Sequence, residues 1–386
     1  MNKTVAILGG GHGAHAMAVD FISRGFVVNM YEMPEFAQSL QRLFETRTIE
    51  SSGQISGRFR PARVTSDIGE AIESAKYIFV VTPAFAHEGY AKLLQGKASG
   101  KQVIVVAPGA FAGLLFRMVF GDQECPVIAE LNNLPYDARV TEACKVTVHG
   151  FNPVGIAFMP ADKGPELIDE MSEFYRYARF YSDVLEAGLS IVNPGVHTGP
   201  CLLSITAIEN SSKRPFFLYE HGVTPSACKL NIKIDRERRA VSKKLGYQNA
   251  NPIEDFSGMD EGFTWQDLYM RIHGNISLTP ISGPHDIMSR YFTEDAPYGL
   301  VPWSAIGKVV EVETPVIDSI INIYNVVHER NWWEEGRSAK DLGLLGLTLA
   351  QIKEYVTSGN RRPSAEIDTS DLPINRPLSG EADARV

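Results

Sequence analysis

Of the nine histidines in the chain, one is bracketed by residues that restrict the backbone: Asn193-Pro-Gly195-Val-His197-Thr-Gly199-Pro200. An imidazole changes charge near neutral pH, and a rigid bracket holds it in position, so His197 can act as a general acid or base. A packed or surface histidine fits the same residues equally well. The stretch Ser289-Arg290-Tyr-Phe-Thr-Glu294-Asp295-Ala-Pro297 offers partners for such chemistry. Arg290 can grip a carboxylate through a fork of two hydrogen bonds, and Asp295 can fix the tautomer of a histidine. An ordinary surface ion cluster has the same composition. In Ala129-Glu130-Leu131-Asn132-Asn133-Leu-Pro135 an apolar run opens into an acid and amides. There Glu130 can receive an ammonium group, or the whole can be a capped turn.

A different chemistry is written near the start. Val5-Ala-Ile-Leu-Gly9-Gly-Gly11-His12-Gly13-Ala14 reads strand, G-x-G-x-x-A turn, then helix, which is the order a dinucleotide cradle requires. Gly9 permits the tight turn, Gly11 leaves room for a pyrophosphate, and Ala14 lets the helix pack closely on the strand. His12 and Gly13 fall where the helix N-terminus offers unpaired N–H groups and partial positive charge to phosphates. Glu32 stands eighteen residues beyond Ala14, at the end of the next β-branched run. A carboxylate there accepts hydrogen bonds from ribose hydroxyls and repels a 2′-phosphate, which favours NAD over NADP. A surface glutamate at a strand end is the plain alternative. Thr82 and Pro83, in Val80-Val-Thr82-Pro83-Ala84, reach the carboxyl edge of the expected sheet, where open α/β folds bind ligands. An ordinary strand-to-helix turn explains them as well.

These residues need a scaffold. Short β-branched runs at Thr4–Leu8, Val27–Tyr31, 77–81, 103–107, 127–130 and 145–148 alternate with amphipathic segments, which predicts an α/β Rossmann-type N-terminal domain with a parallel-rich sheet. Residues 47–66 form an insert, expected as a hairpin or added strand pair with a strand over 58–64. From about residue 193 apolar residues recur at helical spacing, at 202–212, 226–245, 315–329 and 349–357, so a mainly α-helical C-terminal domain follows. The expected division is a dinucleotide-binding domain over 1–190, a helical substrate domain over 191–358, and an extended or disordered tail over 359–386.

At 386 residues, 44% of them apolar and 22% charged, the chain is long enough for two ordinary globular cores. Its net charge of −9 includes no basic stripe, which argues against a nucleic-acid partner. Four scattered cysteines form no CxxC pair, no metal-spaced ligand set stands out, and no run suits a signal peptide or a membrane span. A cytoplasmic protein is expected, and a homodimer is compatible with the chain.

Taken in order, GGGHGA, AELNNLPY, NPGVHTGP and SRYFTEDAPYGLVP resemble the motif series of the opine dehydrogenases, the octopine/nopaline dehydrogenase family. The resemblance covers roughly residues 1–357. It implies an enzyme that condenses an amino acid with a 2-oxo acid and reduces the imine with a nicotinamide cofactor. It further implies that His197 is the acid–base residue, Asp295 its orienting partner and Arg290 the clamp on the 2-oxo acid, with Glu130, Leu131 and Asn132 near the amino-donor pocket. Two departures stand out: His12 replaces the family's usual Asn, and Leu131 its usual Thr. Two competing readings are a simple 2-oxo acid or ketopantoate-type reductase, using Lys229 or Lys233 as its acid, and a non-catalytic NAD-binding regulator.

Overall fold

The computed structural model describes residues 3–121, 123–248, 264–274, 279 and 282–362. The described strands are β1 (Thr4–Leu8), β2 (Val27–Tyr31), β3 (Ile49–Gly53), β4 (Gly57–Phe59), β5 (Arg63–Thr65), β6 (Tyr77–Val80), β7 (Val103–Val106), β8 (Val127–Leu131), β9 (Tyr136–Glu142), β10 (Lys145–Phe151), β11 (Gly155–Met159) and β12 (Arg179–Phe180). Eight of them form one sheet in the order β12-β11-β8-β7-β6-β1-β2-β5. All its neighbours run parallel except β11, which is antiparallel to β8. Register carries Ala6, Ile78, Ile104 and Ile128 across in one row.

Alternate side chains of the central strands feed two separate cores. Ala6, Leu8, Ile78 and Val80 enter one, while Val5, Ile7, Tyr77 and Phe79 enter the other. A strand buried on both faces reads as a continuous apolar run, because neither face meets water. The helix His12–Ser23 turns Met17 and Phe21 into the second core. The first core continues without a break into the helical half, through Ile234, Trp303, Ile321 and Tyr324.

Residues 145–148 do not join the main sheet. They lie in β10, within a second sheet of order β4-β3-β10-β9, parallel to β3 and antiparallel to β9. A period-two pattern fits either sheet; the neighbouring β9, which packs against the helix His12–Ser23, determines which one. The insert is a hairpin, with β3 antiparallel to β4. The strand expected over 58–64 is divided, its first part in that hairpin and its end in β5, paired with β2.

The helical half contains Asn193–Leu203, Ile205–Glu209, Pro225–Lys244, Pro315–His328 and Leu349–Ser358. The helix expected over 202–212 therefore begins earlier and is interrupted, and the bracket around His197 is itself helical. The last helix carries a capping box between Thr348 and Gln351 and ends on Gly359 at φ 78°, a left-handed cap that suits glycine. Beyond residue 362 the expected tail lies outside the described residues. Among the described residues no helix is long and apolar enough to cross a membrane.

Candidate active site

His197 sits on the helix Asn193–Leu203, and the sequence shows how a segment with two prolines can be helical there. Pro194 occupies the first turn, where a missing N–H costs nothing. Pro200 lies inside the helix and cannot donate to the carbonyl four residues back, that of Val196. Asn231 supplies the missing donor, its Nδ2 lying 3.0 Å from Val196 O. Gly199 makes this approach possible, since a Cβ at that position would fall 2.3 Å from Asn231 Oδ1.

His197 Nδ1 lies 2.7 Å from Asp295 Oδ2, and Nε2 lies 3.0 Å from the Tyr219 hydroxyl. The two segments meet because Gly299 lacks a side chain; a Cβ there would stand 2.2 Å from Pro194 Cγ. A carboxylate only accepts, so Nδ1 carries its proton toward Asp295, and in the neutral ring Nε2 accepts from Tyr219. Burial, followed by Tyr291 and Asp295, pushes the Tyr219 phenol well above its ordinary pKa, so it remains a donor. Side-chain exposures of 12% for His197 and 13% for Asp295 leave the pair shielded but reachable. The Tyr291 ring packs edge-on against the imidazole at 4.7 Å.

Arg290 Nε donates to Glu294 Oε2, and Glu294 Oε1 accepts the backbone N–H of Ala84 at 3.0 Å. The carbonyl of Ala84 accepts from Arg337 Nη2 at 3.0 Å, and Nη1 of the same guanidinium donates to Ala110 O. Both backbone groups of Ala84, just beyond Thr82 and Pro83, are thus held by the helical half. Burial pulls Arg337 down to about 10, still cationic at neutral pH. Burial and then Arg337 hold the neighbouring His87 far below the usual imidazole pKa, so it is neutral.

The structure does not bring Glu130 and Leu131 to an open pocket. Glu130 is fully buried, its Oε1 accepting from Phe111 N at 3.1 Å and its Oε2 from Gly113 N at 2.9 Å. It closes the start of the helix Ala112–Phe120, where Ala110 and Phe111 have positive φ and turn amides inward. Burial raises its pKa to about 7 despite the two amides, the next-largest influences. Leu131 is buried within β8. Asn132 accepts from Gly155 N through Oδ1 and donates to the Tyr181 hydroxyl through Nδ2, which ties β8 to the chain entering β11.

The residues of the Gly-rich turn fit a dinucleotide. Gly9 has φ 111°, and a Cβ there would meet Val81 O at 2.7 Å, so only glycine serves. No atom lies within 4 Å of a Cβ at Gly11, which leaves the open approach that a pyrophosphate needs. Gly13 and Ala14 are buried on the helix His12–Ser23. Glu32 is 8% exposed, its Oε1 accepting from Met33 N and from the Tyr90 hydroxyl. Thr82 Oγ1 is buried at this edge without a protein partner, a hydroxyl available to a ligand, and Pro83 beside it is half-buried. His12 Nδ1 accepts from Val140 N at 2.9 Å, a role that an amide oxygen also fills.

Sequence reasoning missed Tyr219 and Arg337, which act across folded distance and carry no local motif. Gly10, which the G-x-G-x-x-A pattern leaves unspecified, is constrained too: a Cβ there would strike Leu40 Cδ1 and Glu32 Oε2 at 2.5 and 2.6 Å. Lys229 and Lys233 are both exposed on Pro225–Lys244, and Lys229 Nζ lies 4.9 Å from the Trp265 ring centre. Neither is placed as the shielded acid of a reductase. Among the described residues no group of three or more His, Cys, Asp or Glu is arranged to hold a metal.

A family model described as NAD/NADP octopine/nopaline dehydrogenase, alpha-helical domain, matches residues 180–328, and one described as NADP oxidoreductase coenzyme F420-dependent matches residues 4–109. The chain is 31% identical over 360 residues to the opine dehydrogenase of Arthrobacter sp. (strain 1C), spanning 92% of this chain and 99% of that protein. It is 26% identical to the octopine dehydrogenase of Mizuhopecten yessoensis, spanning 83% of this chain and 89% of that protein. The solved structure of octopine dehydrogenase with NADH and L-arginine shares its fold, with a TM-score of 0.73 at 20% identity over 94% of this chain and 100% of that one.

Proposed function

Because the chain belongs to the opine dehydrogenase family of NAD(P)-dependent oxidoreductases, we propose that it condenses the amino group of an amino acid with a 2-oxo acid and reduces the imine, with the roles of its residues as follows. The observation that carries this reading is the shielded hydrogen-bonded line Asp295–His197–Tyr219. Asp295 holds the imidazole with Nδ1 protonated, so Nε2 is the atom that exchanges protons. His197 takes a proton from the incoming ammonium group and returns it to the carbinolamine hydroxyl, which leaves as water. Arg290 binds the 2-oxo acid carboxylate, its guanidinium oriented by Glu294. When bound, the reduced nicotinamide supplies the hydride. Per turnover one amino acid in its ammonium form, one 2-oxo acid, one hydride and one further proton give a secondary ammonium and one water.

Gly9, Gly11, His12, Gly13 and Ala14 would hold the pyrophosphate, Glu32 the adenine-side ribose, and Thr82 and Pro83 the nicotinamide side. The carboxylate of Glu32 favours NAD. The dinucleotide-binding and helical units divide near residue 190, and a cytoplasmic location fits the four free cysteines.

The test is NADH oxidation with amino acids crossed against 2-oxo acids, including wells without amine. Oxidation that needs both partners supports the condensation. Equal oxidation without amine overturns it in favour of a simple 2-oxo acid reductase.

A further inference from the structure

With Nδ1 of His197 held by Asp295, Nε2 is the nitrogen left to exchange protons. That nitrogen already has a partner, the Tyr219 hydroxyl at 3.0 Å. An imidazole nitrogen offers one lone pair, so no substrate atom can donate to it while the hydroxyl does. Either the phenol leaves, or the proton travels through it.

The fold holds the phenol where it is. Tyr219 is 4% exposed and lies in the π-turn Leu218–Gly222, a rare backbone form that recurs at functional sites. Its carbonyl accepts from Gly274 N at 3.1 Å. The turn packs against the helix of His197: a Cβ at Gly222 would lie 3.0 Å from Phe216 Cζ and 3.5 Å from Pro200 Cβ. Asp295 leads into a second π-turn, Ala296–Leu300, so both partners of the imidazole stand on this backbone form. The Tyr291 ring covers a further side of the imidazole at 4.7 Å. A phenol fixed in this way stays on Nε2. Its hydroxyl can still serve a substrate, because it donates once and accepts through two lone pairs. While its proton points to Nε2, its oxygen keeps a lone pair for an incoming N–H.

We propose that Tyr219 is a catalytic residue whose hydroxyl carries the proton between the reacting groups and His197 Nε2. This rests on the condensation reading above. In the first transfer the ammonium N–H bond breaks as its proton joins the phenol oxygen, and the phenol O–H bond breaks as its own proton joins Nε2. The positive charge passes to the imidazolium, which Asp295 balances, and the phenol is unchanged. Run backwards, the path delivers a proton to the carbinolamine oxygen; the C–O bond breaks, the nitrogen lone pair forms the C=N bond, and water leaves. Burial, the largest influence on the phenol, keeps it from resting as a phenolate, so both protons move together.

The experiment follows NADH oxidation at steady state and in a single turnover, where product release does not limit the rate. It compares the wild type, Tyr219→Phe, and proteins with singly or doubly fluorinated tyrosine in place of Tyr219, which keep the hydroxyl but make it more acidic. Tyr219→Phe should lose about 10²- to 10³-fold in kcat, the scale of acid–base catalysis. KM for both substrates and the NADH dissociation constant should stay within about twofold, since the hydroxyl acts on a proton in transit. Each fluorine should raise the single-turnover rate about two- to tenfold, because proton transfer follows the acidity of the group that transfers. A loss under about threefold in Tyr219→Phe overturns the assignment, for Nε2 then serves the substrate directly. A large loss in Tyr219→Phe with rates unmoved by fluorine makes the phenol a support for His197 and overturns it as well. If Tyr219→Phe does not fold, the fluorinated proteins decide alone. A wild type that oxidises NADH without needing an amine removes the condensation reading itself, whereas an amine-dependent wild type indifferent to the hydroxyl removes only this inference.

Discussion

Asn231 donates through its side-chain amide to the carbonyl of Val196, the acceptor that Pro200 leaves without a backbone partner, and so holds the helix that carries His197. The bond joins two helices of the helical half, both buried at this point.

Asn231→Leu should strand that carbonyl and destabilise the fold by about 1–3 kcal/mol, the cost of an unsatisfied buried group. Because the helix positions His197, kcat should fall in the fraction that remains folded. Chemical denaturation and steady-state rates together check this. An unchanged midpoint would mean that the carbonyl finds another donor.

Asp295→Asn preserves the shape of the pair but no longer requires Nδ1 to carry the proton. A fall in kcat of about 10²- to 10⁴-fold is expected, with NADH affinity retained. If turnover survives the change, Asp295 is not the residue that orients His197.

Glu130 makes stability depend on pH in a particular sense. Burial raises its pKa to about 7, above the ordinary carboxylate value, so between these values the folded chain keeps a proton that the unfolded chain has lost. This contribution is fully present below the ordinary value and is lost as pH rises through about 7. The slope is at most about 1.4 kcal/mol per pH unit. Glu130→Gln should lower stability at acid pH, because one of the two amides loses its acceptor, and should flatten the slope between pH ~5 and ~7. Parallel wild-type and Glu130→Gln curves would disprove the assignment.

Glu32→Ala should weaken NADH binding about tenfold while leaving NADPH binding unchanged or improved, since the carboxylate both accepts from a ribose and repels a phosphate. Fluorescence titration with the two cofactors reads this directly. Equal losses for both would indicate that Glu32 only supports the turn through Met33 and Tyr90.

The parts legible in the sequence are those whose cause is local. The apolar runs of β1, β6 and β7 announce strands buried on both faces, and Gly9 announces a turn that only glycine can make. The caps of Leu349–Ser358 are written within a few residues of one another. His197, Arg290 and Asp295 stand out in the sequence as residue types in restrictive company, and the family resemblance, not any local pattern, pairs His197 with Asp295.

Tertiary structure decided what depends on partners distant in the chain. It assigned 145–148 to a second sheet, because β9 competes for its edge. It made the proline bracket a helix, because Asn231 satisfies Val196. It took Glu130 out of reach, because the amides of Phe111 and Gly113 turn toward it. It placed Tyr219 on His197 and Arg337 on Ala84 across 22 and 253 residues of chain. Hydrogen bonds and burial are set by positions in space, and a linear pattern records only the groups that seek partners, not which partners folding brings to them.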